Sequence, residues 1–427
     1  MFGKNDNQVV SGTVQASPYG HTTEVVDNDN PFIVKKQPTK CRDPLFAVLL
    51  YANVAAIIGV FIAYGGTTAL NTLGGNDAEN EATTDYSGIA KTAIGAAAIA
   101  TVLSGAMLQV LMCIPALLIK TALIFNVVMA GVVAAYGFLS GNLIVGIVGI
   151  LFFALMLCYA RAVWARIPFA TANLKTATSA VRANCGVSFI AYIFTALAFG
   201  WVILWSLAVA GVQDQLVECS DADGNTVCTN PNYGYLFLLF LSLFFTSQVI
   251  QNCVHVTVAG VVASWWFTPS QSGFCSGAVC GSFFRTMTTS FGSICFGSLL
   301  VAIIQAIRQL AETARQNDEL GSTLACCIDC ILGCLESIIE YFNKWAFVYV
   351  GVYGFGYCEA GKNVMTLFKD RGWEAVIADD LVGMVLGMMS LIVGAITGGF
   401  AVLFVTATNW FDNFSGSEDN AKIFAFM

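Results

Sequence analysis

The chain has 427 residues, of which 57% are hydrophobic and 11% charged, with a formal net charge of −8; soluble domains carry about 25% charged residues. Mean hydropathy is +0.73, and apolar runs long enough to cross a bilayer core of about 30 Å recur along most of the chain after residue 44. This composition excludes an ordinary aqueous domain, and the acidic balance gives no footing for nucleic-acid binding.

Residues 1–44 are polar, with Pro18, Pro31 and Pro38 among scattered Asn and Asp, and read as a flexible cytoplasmic tail without a cleavable signal peptide. A transmembrane domain is expected over 45–407, with spans at 45–64, 89–113, 116–138, 143–160, 187–212, 235–267, 288–307, 345–361 and 381–406. Residues 408–427 read as a short polar tail. The fold class is an all-α integral membrane protein, a polytopic bundle of about nine to ten transmembrane helices.

Charge sets the expected orientation. Arg161, Arg166, Lys175 and Arg182 share one connection without an acid, and Lys35, Lys36, Lys40 and Arg42 precede the first span, so both regions are expected in the cytoplasm. The acidic connections 65–87 and 213–232 are expected outside. In the second of these, Cys219 and Cys228 bracket a short loop where oxidation is permitted, and read as a disulfide or as two free thiols. Cys327, Cys330 and Cys334 fall on one helical face with no histidine nearby, and His21 and His255 lie far apart, so no metal site is expected. No G-x-x-x-x-G-K-[ST] phosphate loop occurs, which disfavours an ATP-driven pump, and no cofactor is expected.

Several groups inside the spans are ones that lipid disfavours. Trp345, Tyr349, Tyr353 and Tyr357 recur every four residues, a drifting aromatic stripe that reads either as a pathway lining or as interfacial anchoring. Gly351, Gly354 and Gly356 permit a helix break or close packing; Gly383-x-x-x-Gly387, Gly394-x-x-x-Gly398 and Ser293-x-x-x-Gly297 read as packing motifs. Gln248, Gln251, Asn252 and His255 share a helical face, suited to a wet cavity or to interhelical hydrogen bonds. Glu336, Glu340 and Asn343 share another, an acidic vestibule or a solvated face. Arg308 is expected to pair with Glu312 one turn on.

Blocks in order across the chain, namely CRD at 41–43, ARIPFATANLKTATSAVRAN at 165–184, VAGVVASWWF at 258–267, RTMTTSFGSICFGSLLVAIIQAIR at 285–308 and LGCLESIIEYFNKWAFVYVGVYGFGYCEAGKNVMTLF at 332–368, resemble the choline transporter-like family of solute carriers. The resemblance implies a bundle of roughly ten helices with a cytoplasmic N-terminus that moves choline or a related small organic cation across a lipid bilayer, the plasma membrane by family expectation. A quaternary ammonium lacks N–H donors and is held by aromatic faces at about 0.5 to 2 kcal/mol each. The pathway candidates are therefore Trp345, Tyr349, Tyr353, Tyr357, Asn343, Gln248, Gln251, Asn252 and His255, with Glu359 and His255 open to proton exchange. A non-transporting scaffold or channel-like protein is the alternative. A membrane enzyme of lipid metabolism is disfavoured, because it would need clustered His or Asp and the spans hold one histidine.

Overall fold

The computed structural model describes residues 40–65, 86–141, 143–212, 217–222, 225–316, 322–371 and 374–408. Most of the two expected tails lies outside the described residues. In lipid an unpaired backbone N–H or C=O finds no water, so a membrane chain closes its hydrogen bonds within helices. Among the described residues these are α1 (Pro44–Val60), α2 (Tyr86–Cys113), α3 (Pro115–Leu139), α4 (Leu143–Val163), α5 (Ile167–Ala183), α6 (Gly186–Val212), α7 (Tyr233–Phe267), α8 (Gly277–Met287), α9 (Phe291–Gln316), α10 (Ser322–Tyr353), α11 (Tyr357–Arg371) and α12 (Glu374–Thr408).

Local sequence sets several starts. Proline opens α1 and α3, where its missing N–H costs nothing and its fixed φ suits the first turn. Asn232 caps α7 by accepting from the Gly234 and Tyr235 amides at 3.1 and 3.4 Å, and Ser276 caps α8 through the Val279 amide at 3.3 Å. The acidic connection after α6 folds as an antiparallel hairpin, β1 (Val217–Ala222) with β2 (Asn225–Pro231), whose register sets Cys219 opposite Cys228.

Among the described residues, eight helical segments are long and apolar enough to cross a membrane, and they match eight of the nine expected spans. The exception is 345–361. There α10 stops at Tyr353, and α11 restarts at Tyr357 and packs back along α10. A methyl at Gly361 would stand 2.8 Å from the Phe342 ring, and Phe368 stacks on Tyr341 at 6.2 Å. The aromatic period of four therefore does not mark one continuous helix, because the glycines inside it let the chain turn.

Packing sorts the helices into two groups. One core joins α1, α7, α9, α10 and α11 around Phe245, Val256, Ile294, Phe347, Val350 and Tyr357, with α6 closing its flank through Trp201 and Ala208. The other joins α2, α3, α5 and α12 around Leu111, Ile119, Leu123, Ile167, Leu174 and Leu381, with α4 against α3. The packing motifs divide accordingly. Gly297 is tightly covered, whereas Gly383, Gly387 and Gly394 have no non-local atom within 4 Å of where a side chain would start, so those three are not packing contacts within this chain, while Gly398 and Ala401 of α12 are buried.

At the α5–α6 corner Asn184 ties the second group to the loop before α8. Fully buried, it accepts from the Gly273 amide and the Ser276 hydroxyl, each at 3.4 Å, and donates to the Ala180 carbonyl at 3.0 Å. Removing one partner from buried hydrogen bonds costs about 1–3 kcal/mol. Asn184→Ala should therefore lower the thermal midpoint of the purified protein, while Asn184→Gln should recover little because the corner has no room for another methylene.

Candidate functional site

Glycine conformation builds the turn between α10 and α11. Gly354 sits at φ +67°, in the left-handed region open to glycine, while its N–H still bonds the Val350 carbonyl at 3.0 Å. The restarted helix is capped from the other end of the chain. Asp43 Oδ2 accepts the Tyr357 N–H at 3.2 Å and the Ser293 hydroxyl at 2.7 Å. A carboxylate there meets the positive end of the α11 dipole as well as an orphan donor. Asp43 is itself held at φ +50°, and the Arg42 N–H donates to the Thr289 carbonyl at 2.9 Å. The strand carrying it crosses Gly292 so closely that a methyl there would meet the Arg42 and Asp43 carbonyls at 2.2 and 2.3 Å.

Tyr357 enters the core rather than a passage. It is 6% exposed, its hydroxyl donates to Asn343 Oδ1, and Asn343 Nδ2 donates to the Gly297 carbonyl at 2.8 Å. Its ring lies 4.9 Å from Phe296 and 6.1 Å from Phe347. Trp345 packs against Phe368 and Tyr341, at 5.6 and 6.4 Å between ring centres. Tyr349 and Tyr353 gather with Phe355 at the turn, with centroid separations of 5.4–6.5 Å, and Tyr353 is exposed. Glu359 lies exposed in the first turn of α11.

Between α7 and α10 runs a groove of about 540 Å³ whose walls include His255, Val258, Val262 and Trp266 on one side and Val348 and Val352 on the other. Its surface is almost wholly apolar. His255 Nε2 lies 3.1 Å from the Lys344 carbonyl; since a carbonyl only accepts, Nε2 carries the hydrogen, and in the neutral tautomer Nδ1 is the acceptor nitrogen. Lys344, Val348 and Val352 recur every four residues and so share one face of α10. Lys344 Nζ on that face reaches Asp379 Oδ1 of α12 at 2.6 Å, and the neighbouring Asp380 accepts from the Tyr159 hydroxyl of α4. The groove is thus walled by α7 and α10, with exposed Trp266 and Phe267 at one end, and the Lys344–Asp379 ion pair to the second helix group lies one turn of α10 before Val348.

The polar face of α7 is spent mainly on other helices. Gln248 donates to Gln305 at 3.3 Å; Gln305 in turn donates to Glu336 at 2.9 Å and Glu340 at 3.3 Å; and Asn252 donates to the Ser298 hydroxyl at 2.9 Å. Gln251 is exposed. Arg308 pairs with Asp329 at 2.6 Å and Glu336 at 3.0 Å rather than with Glu312, which pairs with Arg315, because α10 brings acids closer than the next turn of α9 does. Of the candidates, the structure brings His255 into the groove. It sets Asn343 and Tyr357 in the core and spreads the other rings around the α10–α11 turn.

The family model described as plasma-membrane choline transporter matches residues 144–426. The chain belongs to the choline transporter-like family. A "Protein PNS1" of Eremothecium gossypii is 32% identical over 294 residues, 65% of this chain and 53% of that protein. A "CTL-like protein" of Dictyostelium discoideum is 32% identical over 259 residues, 60% and 44% of the two chains. A "Protein PNS1" of Mycosarcoma maydis is 27% identical over 381 residues, 87% and 71%. The chain thus spans about half the length of several curated relatives it matches.

Sequence reading missed Asp43, Lys344, Asp379 and Phe355 as site residues. An acid immediately before Pro44 and an acidic pair opening the last apolar run were visible signals. Gly297 supplies a direct check of the packed turn. A methyl there would meet the Tyr357 ring at 2.5 Å and the Phe347 ring at 2.7 Å, and overpacking of this kind costs about 1–3 kcal/mol. Gly297→Ala should lower the thermal midpoint and Asp43→Ala should do likewise, read by scanning fluorimetry of the purified chain.

Proposed function

We propose that this protein carries choline or a similar small organic cation across a membrane, along a path that includes the groove between α7 and α10. The observation that carries the reading is that groove: a ligand-sized space between two helices of the first group, α7 and α10, with aromatic Trp266 at its open end and the His255 imidazole in its wall. A quaternary ammonium with a hydroxyl has the matching features, an apolar cationic body for ring faces and one donor for a lone pair. Weak aromatic contacts suit release as well as capture. Tyr349, Tyr353 and Phe355 at the nearby turn offer further faces. The family supports transport rather than catalysis.

Sidedness follows the base-rich end. Arg42, Lys120, Arg161, Lys175, Arg182, Arg285, Lys362 and Lys369 sit near the start of α1, the α2–α3 corner, α5, α8 and α11, so this end is assigned to the cytoplasm and the hairpin to the outside of the plasma membrane. With that orientation a single positive charge entering a negative interior gains about 2.3 kcal/mol per 100 mV, enough for facilitated entry.

Uptake of labelled choline into proteoliposomes containing the purified chain tests the reading. The parent should accumulate choline faster when the lumen is negative, and Trp266→Ala should cut the initial rate by roughly tenfold, the order expected for about 1.4 kcal/mol of lost cation–π binding. No uptake by the parent of choline or related amines sinks the proposal. For the hairpin, directly opposed antiparallel residues have Cα atoms about 4.5–5.5 Å apart, within the range a disulfide spans. Non-reducing peptide mapping should recover Cys219 linked to Cys228, and two alkylatable thiols there would count against the outside assignment.

A further inference from the structure

We infer that Lys344 and Asp379 form an exchangeable pair, in which a cation reaching the end of the α7–α10 groove displaces the lysine and takes the Asp379 carboxylate as its partner. The inference deepens the transport reading and rests on it. Lys344 stands one helical turn before Val348 on the groove face, and its ammonium meets Asp379 at 2.6 Å. Both side chains reach solvent, at 46% and 22% relative exposure. Exposed ion pairs contribute little net stability, so another cation can compete for the acid.

The surroundings suit exchange better than a fixed tie. Asp380 accepts the Tyr159 hydroxyl and stays with the second helix group, whereas Asp379 reaches across to the first. The Lys344 carbonyl is meanwhile bonded to His255 at 3.1 Å, which anchors the lysine's backbone while its four-carbon stem remains free to swing. Among the described residues the walls of the groove carry no carboxylate, and Asp379 supplies a formal counter-charge through Lys344, one helical turn before Val348. Its resident lysine keeps that charge paired when no cargo is bound. Trp345 follows Lys344 on α10 and packs on Tyr341, with ring centres 6.4 Å apart.

The test is equilibrium binding of labelled choline to the purified full chain, with thermal midpoints taken on every variant. Lys344→Gln removes the competitor and should lower Kd by about tenfold. Asp379→Asn removes the acceptor and should raise Kd by about tenfold. Lys344→Arg keeps the charge but grips the carboxylate with a two-pronged fork, and should weaken binding severalfold at an undiminished midpoint. A merely structural pair gives the other pattern, with Lys344→Gln and Asp379→Asn moving both Kd and midpoint in the same direction. That result, or an unchanged Kd in Lys344→Gln, overturns the exchange while the transport reading stands. A parent chain that binds no choline overturns both.

Discussion

A helix that stops inside a membrane protein strands backbone donors and acceptors, and the break between α10 and α11 is where this protein meets that constraint. Four groups around the break answer it. The left-handed glycine lets the chain turn while Gly354 keeps its amide bonded to Val350, and Asp43 accepts from the restarting helix and from Ser293 together. Tyr357 and Asn343 then satisfy one another and the Gly297 carbonyl, so the turn is buried without orphaned polar atoms at these residues. Because this region is fixed, the opposite face of α10 can present Lys344, Val348 and Val352 to a groove.

The two helix groups divide the labour. Large interlocking side chains around Phe347 and Ile294 make the first a rigid body. The second has an aliphatic core that includes the flexible side chains of Met388 and Met389, with Gly383, Gly387 and Gly394 of α12 uncovered. Contacts across the seam are largely polar or peripheral, with Asn184 at one corner and the Lys344–Asp379 ion pair near the groove. A seam held by hydrogen bonds and ions slides at lower cost than one filled with interdigitated aromatics, and bodies that shift against each other are the usual way a membrane passage changes the side it faces.

Much of this was legible in the sequence, for reasons that differ from element to element. Eight spans announced themselves because about twenty apolar residues have few other readings. The break was foreseen in kind from Gly351, Gly354 and Gly356, but not the return of α11, since hydropathy registers apolarity without direction. Tyr357 was assigned to the same stripe as Tyr349 because periodicity assumes an unbroken helix. The face running from Gln248 to His255 reads as suited to a wet cavity or to interhelical bonds; Gln248 and Asn252 bond Gln305 and Ser298, which lie more than 40 positions away, while Gln251 is exposed. Asp43 and Asp379 escaped notice because each acts through a partner remote in sequence, and single-sequence patterns carry only local information.

The bond from Asp43 to the Tyr357 amide spans 314 positions. At synthesis rates of about 5–20 residues per second, the first helix emerges roughly 15–60 s before its counterpart exists. During that interval the crossing over Gly292 and the bond to Ser293 can close, since both need only residues made before Tyr357, so the Asp43 carboxylate waits in place for the amide it finally caps.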